Sequence, residues 1–155
     1  MAEGEPLSYA GNNFDGAVLG GRPPIPDDLP PMDEVMRLAL SVPAAPETER
    51  VQCELLLLIS SAAGYERRRK AIRATYLSLL DGTDGAPRVR YRFLLGAPRP
   101  EQCAALEAEQ AEHGDLLQLP TPESYETLWP KWVASWRWSV ATHNFGFWMH
   151  ADDDS

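Results

Sequence analysis

Between Glu54 and Ser60 the chain sets five aliphatic residues in a row, Leu55 to Ile59, with a glutamate before them and a second serine, Ser61, behind. Five residues are too few to cross a bilayer, which takes about 20. They are also too uniform for a strand with one wet face, where apolar and polar residues alternate. A short run of this kind suits a strand buried on both faces, as in a parallel sheet covered by helices on either side.

The sequence after this run keeps to that scheme. "ERRRKAIRATYLSLLDG" reads as a helix with Ile72, Tyr76, Leu79 and Leu80 on one apolar stripe and Gly82 placed to stop it. "VRYRFLLG" is a second strand, and "PEQCAALEAEQAEHG" a second helix, opened by Pro100 and closed by Gly114. "DLLQL" is a third strand. "ESYETLWPKWVASWRWSVATH" is a tryptophan-rich helix with Pro130 as a candidate kink, and "FGFWMH" is a fourth strand. Strand and helix alternate, which predicts an α/β fold with parallel strands near 54–60, 90–95, 116–119 and 146–150. Tryptophans at helical spacing are more often core than binding platforms, so Trp132 and Trp136 are expected inside. Lys131 is expected to be solvated.

The first 48 residues have a different character. Eight of the fourteen prolines lie there, with no lysine and an excess of acidic residues. Proline removes hydrogen-bond donors and fixes φ, so "GGRPPIPDDLPPMDE" cannot hold a ladder strand or a helix. Residues 1–48 therefore read as a disordered, Pro/acidic-rich leader, with "DEVMRLALSV" as one short candidate helix, and 49–155 as the folded domain. The opening "MAEGEPLSYA" is acidic and does not read as a signal peptide, and no run resembles a membrane span, so neither is expected in this stretch. A net charge of −9 argues against nucleic acid as the partner. Cys53 and Cys103 form no metal-binding spacing; they could pair, but read rather as ordinary buried thiols.

The fourth strand runs into "ADDDS". Ligands of open parallel sheets bind beyond the carboxyl ends of the strands, which is where these carboxylates fall. Asp152 and Asp154, one residue apart, can share a hard cation such as magnesium or manganese, with a ligand's phosphates completing the shell. A solvated acidic run explains the same residues. Arg67, Arg68, Arg69, Lys70 and Arg73 form the one basic cluster. It reads either as a solvated helix face or, for Arg69 and Arg73, as guanidinium set for phosphate.

Taken in order, several blocks resemble the amino-terminal half of the catalytic domain in glycosyltransferase family 31, the β-1,3-galactosyltransferases and their N-acetylglucosaminyl and fringe-like relatives. "ERRRKAIRATY" is similar to the family's R-x-x-I-R-x-T-W helix through Arg69, Ile72, Arg73 and Thr75, with Tyr76 for the tryptophan. "YRFLLG" resembles its F-L-L-G strand. Glu109, Gly114 and Asp115 match its E-x-x-x-Y-G-D block, and "ESYETLWPK" keeps Ser124, Tyr125, Leu128 and Lys131 of D-S-Y-x-N-L-T-x-K. "FWMHADDDS" resembles F-V-M-K-T-D-D-D-V, with His150 for the lysine; His143 stands where a family cysteine is expected.

The resemblance implies a type A glycosyltransferase fold, Rossmann-like with helices on both faces, stopping after the aspartate motif. It implies a hexosyltransferase that moves galactose or N-acetylglucosamine from a UDP-sugar to a glycan, glycoprotein or glycolipid acceptor with inversion. Manganese, or magnesium in its place, would be held by Asp152 and Asp154. Ser60, Arg69, Arg73, Asp152 and Asp153 would meet the nucleotide-sugar, with Ser61 beside them. The general base is expected beyond Ser155, and the location is expected to be the Golgi membrane. A non-catalytic nucleotide-sugar- or carbohydrate-binding remnant of the same fold is the alternative reading.

Overall fold

In the computed structural model, residues 27–42, 50–80 and 88–154 are described. The aliphatic run lies in β1 (Val51–Ser60), the second strand from one edge of a four-stranded sheet. The other strands are β2 (Val89–Ala97), β3 (Leu116–Pro122) and β4 (His143–Asp152). Every pairing is parallel and the order is β3-β2-β1-β4. Each strand contains or overlaps the stretch expected of it. β1 is covered on both faces, because its successive side chains serve two different cores. Leu57 and Ile59 join Phe93, Leu95 and Leu106 on one side, while Leu56 and Leu58 join Leu94, Leu119 and Ala134 on the other.

The first core is covered by α2 (Glu66–Ala74) and α3 (Pro100–His113). Pro100 occupies the first turn of α3, where its missing N–H costs nothing, and Gly114 ends the helix at φ 66°, a left-handed position suited to glycine. α2 is shorter than its sequence predicts. It stops at Thr75, whose hydroxyl donates to the Ala71 carbonyl at 2.8 Å, and a 3-10 turn follows over Tyr76–Leu79. The changed winding shifts the stripe by one side chain: Leu77 is buried, whereas Tyr76 is partly exposed and Leu79 is 82% exposed. Gly82, the expected stop, lies outside the described residues.

The second core is covered by α4 (Leu128–Thr142) and α1 (Met32–Leu40). Val35 and Ala39 of α1 are fully buried, and α1 packs on α4 and β3. The domain thus includes this helix, and a boundary at residue 48 does not separate it. Residues 1–26 and 43–48 of the expected leader lie outside the described residues.

Pro130 introduces no kink. It falls in the first turn of α4, where backbone N–H groups have no helical partner to lose. The face of α4 toward the sheet is made of small residues, with Ala134, Ser135, Ser139 and Ala141 all buried. Their size brings the helix close to the strands and leaves the bulky rings on its flanks. Trp132 and Trp136, expected in the core, are 43% and 46% exposed. Trp136 instead packs edge-on against Trp148 of β4, with centroids 5.3 Å apart. Cys53 and Cys103 are free thiols, both partly exposed rather than buried.

Candidate functional site

The strand order fixes where a ligand site can form. The chain steps outward from β1 to β2 to β3, with α2 and α3 on one face, then returns through α4 on the other face to lay β4 along the free side of β1. The direction of winding reverses between β1 and β4. The connections leave the strand ends in opposite directions there and open a crevice at the carboxyl edge. Ser60, the last residue of β1, is paired with Asp152, the last of β4. The aspartate motif therefore stands at the topological switch point.

The three carboxylates are not equivalent. Asp153 turns inward. Its amide donates to the Ser60 carbonyl at 3.1 Å, and its carboxylate accepts from the Ser61 hydroxyl at 2.7 Å and from Arg68 Nη1 at 2.8 Å. Only 6% of its side chain is exposed. Asp152 and Asp154, on either side, are exposed. Arg68 Nη1 also reaches Asp154 Oδ2, at 3.5 Å, and its guanidinium lies over the Tyr65 ring, 4.5 Å from the centroid. The short hydrogen bond to Asp153 raises the Arg68 pKa; partial burial opposes this, and the charges of Asp153 and Asp154 add to the rise.

Two arginines expected at the nucleotide are engaged elsewhere. Arg69 is completely buried and grips Glu109 with two hydrogen bonds, Nε to Oε1 at 2.8 Å and Nη2 to Oε2 at 2.6 Å. Its remaining nitrogen donates to the Ser61 hydroxyl at 3.2 Å. Arg73 makes the same fork on Asp115, at 2.8 and 2.7 Å, and adds a 2.7 Å bond to Glu109. Burial pushes the Glu109 carboxyl up, but the hydrogen bonds and charges of Arg69 and Arg73 outweigh it and hold the group below its ordinary value. Of the residues singled out from sequence, the fold brings together Ser60, Ser61, Asp152, Asp153 and Asp154. Arg69 reaches this group only through Ser61, and Arg73 faces α3.

His150 shares a 2.9 Å hydrogen bond between its Nε2 and the Ser60 hydroxyl, and packs 4.7 Å from the Trp132 ring. Burial depresses its pKa, with Asp152 opposing and Lys131 assisting. Lys131 is not solvated: at 2% exposure, its ammonium donates to Glu123 Oε1 at 2.7 Å and to the Ser61 carbonyl at 3.1 Å. Sequence reasoning read Arg68 and Lys131 as solvated and passed over Glu123. The run Arg67 to Lys70 places a cation in nearly every direction around α2, so composition alone does not single out the one that faces β4. For Lys131, the signal was its place among buried-face positions of a helix otherwise lined by alanine and serine.

With this geometry in view, the comparison with known sequences is decisive. The family model described as Galactosyltransferase matches residues 67–155, more than half of the chain. The chain belongs to the galactosyltransferase family. It is 39% identical over 109 residues to beta-1,3-galactosyltransferase 6 of Mus musculus, covering 68% of this chain and 33% of that protein. It is 37% identical over 102 residues to beta-1,3-galactosyltransferase brn of Drosophila melanogaster, covering 64% and 30%. A human relative, acetylgalactosaminyl-O-glycosyl-glycoprotein beta-1,3-N-acetylglucosaminyltransferase, is 34% identical over 108 residues, covering 64% and 28%. The matched regions thus span a third or less of the length of these relatives. The matched galactosyltransferase region takes in α2 with its arginines, the Glu109–Asp115 carboxylates, Lys131 and the aspartate motif.

Proposed function

We propose that this chain forms the donor-binding part of a hexosyltransferase that takes galactose or N-acetylglucosamine from a UDP-sugar and passes it, with inversion, to a glycan acceptor. The observation that carries this reading is the aspartate motif at the switch point, with one carboxylate braced inside and its two neighbours exposed. Asp152 and Asp154 would hold a divalent cation, manganese or magnesium. Their donor set fits: it is all oxygen, and two carboxylates are what such ions take when phosphates and water supply the rest of the shell. Among the described residues, no group of three or more His, Cys, Asp or Glu side chains is arranged to hold a metal ion. When bound, the cation supplies Lewis-acid neutralisation of the charge on a departing diphosphate.

The protein's own groups divide the remaining work. Asp153 braces the motif through Ser61 and Arg68. Arg68 contacts Asp153 and Asp154, and its planar fork would suit phosphate oxygens. Ser60 ends β1 beside Asp152 and is the further candidate contact for the nucleotide. An inverting transfer also needs a base to take the proton of the attacking hydroxyl. That role is assigned to none of the motif's neighbours: Glu109 and Asp115 are committed to arginine, and Glu123 to Lys131. These three carboxylates are therefore not proposed as that base. A Golgi membrane location belongs to the same proposal on family grounds; among the described residues no helix is long and apolar enough to cross a membrane.

The test is calorimetric binding of UDP with and without manganese. The unaltered chain is expected to bind UDP only with the metal, and Asp152→Asn or Asp154→Asn to lose that binding while keeping the fold. Equal binding by both variants would remove the aspartates from the site.

A further inference from the structure

One line of contacts crosses the carboxyl ends of all four strands. It starts at Gly96, near the end of β2, whose amide donates to Glu123 Oε2 at 2.6 Å. Glu123 directly follows β3, and its other oxygen accepts from Lys131 of α4 at 2.7 Å. Lys131 then donates to the carbonyl of Ser61, just past β1, at 3.1 Å. The Ser61 hydroxyl donates to Asp153, just past β4, at 2.7 Å. The packing along this line is tight: a Cβ on Gly96 would lie 2.7 Å from the Thr121 carbonyl and 3.0 Å from Glu123 Oε2.

A buried ammonium is a costly way to fill space. It loses its hydration, and an apolar side chain of similar volume usually packs as well or better. What the ammonium adds is direction, because it must keep its acceptors. Here those acceptors are the Glu123 carboxylate and the Ser61 carbonyl, and Ser61 is the residue that holds Asp153.

We propose that Lys131 is a positioning residue for the aspartate motif, an inference that rests on the metal-assisted reading above. With Glu123 as its counter-ion, it fixes the Ser61 peptide. The fixed peptide keeps the Ser61 hydroxyl on Asp153, and the inward anchoring of Asp153 sets the outward stance of Asp152 and Asp154. Lys131 itself touches neither cation nor nucleotide. Outer-sphere groups that orient metal ligands commonly cost roughly 10–100-fold in metal affinity when removed.

The experiment compares the full chain with Lys131→Met, Glu123→Gln, Ser61→Ala and the Lys131→Met/Ser61→Ala double variant. Two quantities are read beside the melting temperature: the manganese concentration that supports half-maximal UDP binding, and hydrogen exchange at the Asp153 amide in metal-free protein. Lys131→Met and Glu123→Gln should each raise the manganese requirement by about tenfold or more. Both should speed Asp153 exchange relative to amides in the middle of β1. The double variant should add little to Ser61→Ala, because the two residues act along one path. A lower melting temperature with unchanged manganese requirement and unchanged relative exchange would make Lys131 a purely structural pillar and overturn the proposal. So would fully additive effects in the double variant. If Lys131→Met does not fold, Glu123→Gln, which keeps the side-chain length, decides the matter. If the unaltered chain shows no manganese-dependent UDP binding, the donor-binding reading fails, and the exchange measurements alone decide whether Lys131 positions Asp153.

Discussion

Two clusters of arginine and carboxylate lie within a few residues of each other on α2, and they are built to opposite ends. Under the helix, Arg69 and Arg73 meet Glu109 and Asp115 through five short hydrogen bonds, with every side chain nearly inaccessible to water. At the carboxyl edge, Arg68 meets one inward aspartate at 2.8 Å and an exposed one at 3.5 Å. The first cluster is closed to water, and Arg69 links it to the Ser61 hydroxyl. The second has a nearly buried inner side and an outer side open to solvent. The same residue types are therefore shut from water in one place and open to it in the other, and burial, not charge, separates the two clusters.

The sharpest way to break the comparison is to open the closed cluster. Arg69→Met would strand Glu109 with a single partner in a buried site, and removal of one member of such a pair costs about 3–5 kcal/mol. Urea denaturation should show that loss, whereas a cost under about 1 kcal/mol would mean the cluster is wetter than its geometry implies. Next is acid. Because Glu109 is held below its ordinary value, its contribution is fully present above the unfolded carboxyl range and is lost as pH falls through the folded value. Stability should decline in the acid range below about pH 4.3, and Glu109→Gln should flatten that decline as read from melting temperature against pH. The smallest effect belongs to the open cluster. Asp153→Asn, which weakens the Ser61 and Arg68 contacts, should cost about 1–3 kcal/mol, while Asp154→Asn, mostly exposed, should stay within about 0.5 kcal/mol. Equal costs at the two positions would erase the distinction between the braced and exposed carboxylates.

Much of the architecture was readable from local pattern. A doubly buried strand leaves a continuous aliphatic run, and Pro100 and Gly114 mark the ends of α3 because each fits a backbone position that suits few other residues. The split of α2 at Thr75 was not readable, since a 3-10 turn keeps the same composition and alters only the winding. Nor was the placement of Trp132 and Trp136. Their helical spacing was right, but the neighbouring alanines and serines took the sheet-facing side and left the rings at its margin. The aspartates were legible because a motif at a strand end carries its position with it.

The sequence by itself determined the parallel α/β layering, the sites of the strands and the arrival of three carboxylates at the carboxyl edge, because these follow from periodicity and chain order. Tertiary structure alone decided which arginine meets those carboxylates, which aspartate turns inward, and that Lys131 is buried. Arg69 finds Glu109 at a separation of 40 residues and Arg68 finds Asp153 at 85. Neighbouring residues on a helix point about 100° apart, so a basic run sends one cation to each distant partner, and only the packing of α2 against β4 and α3 settles which goes where.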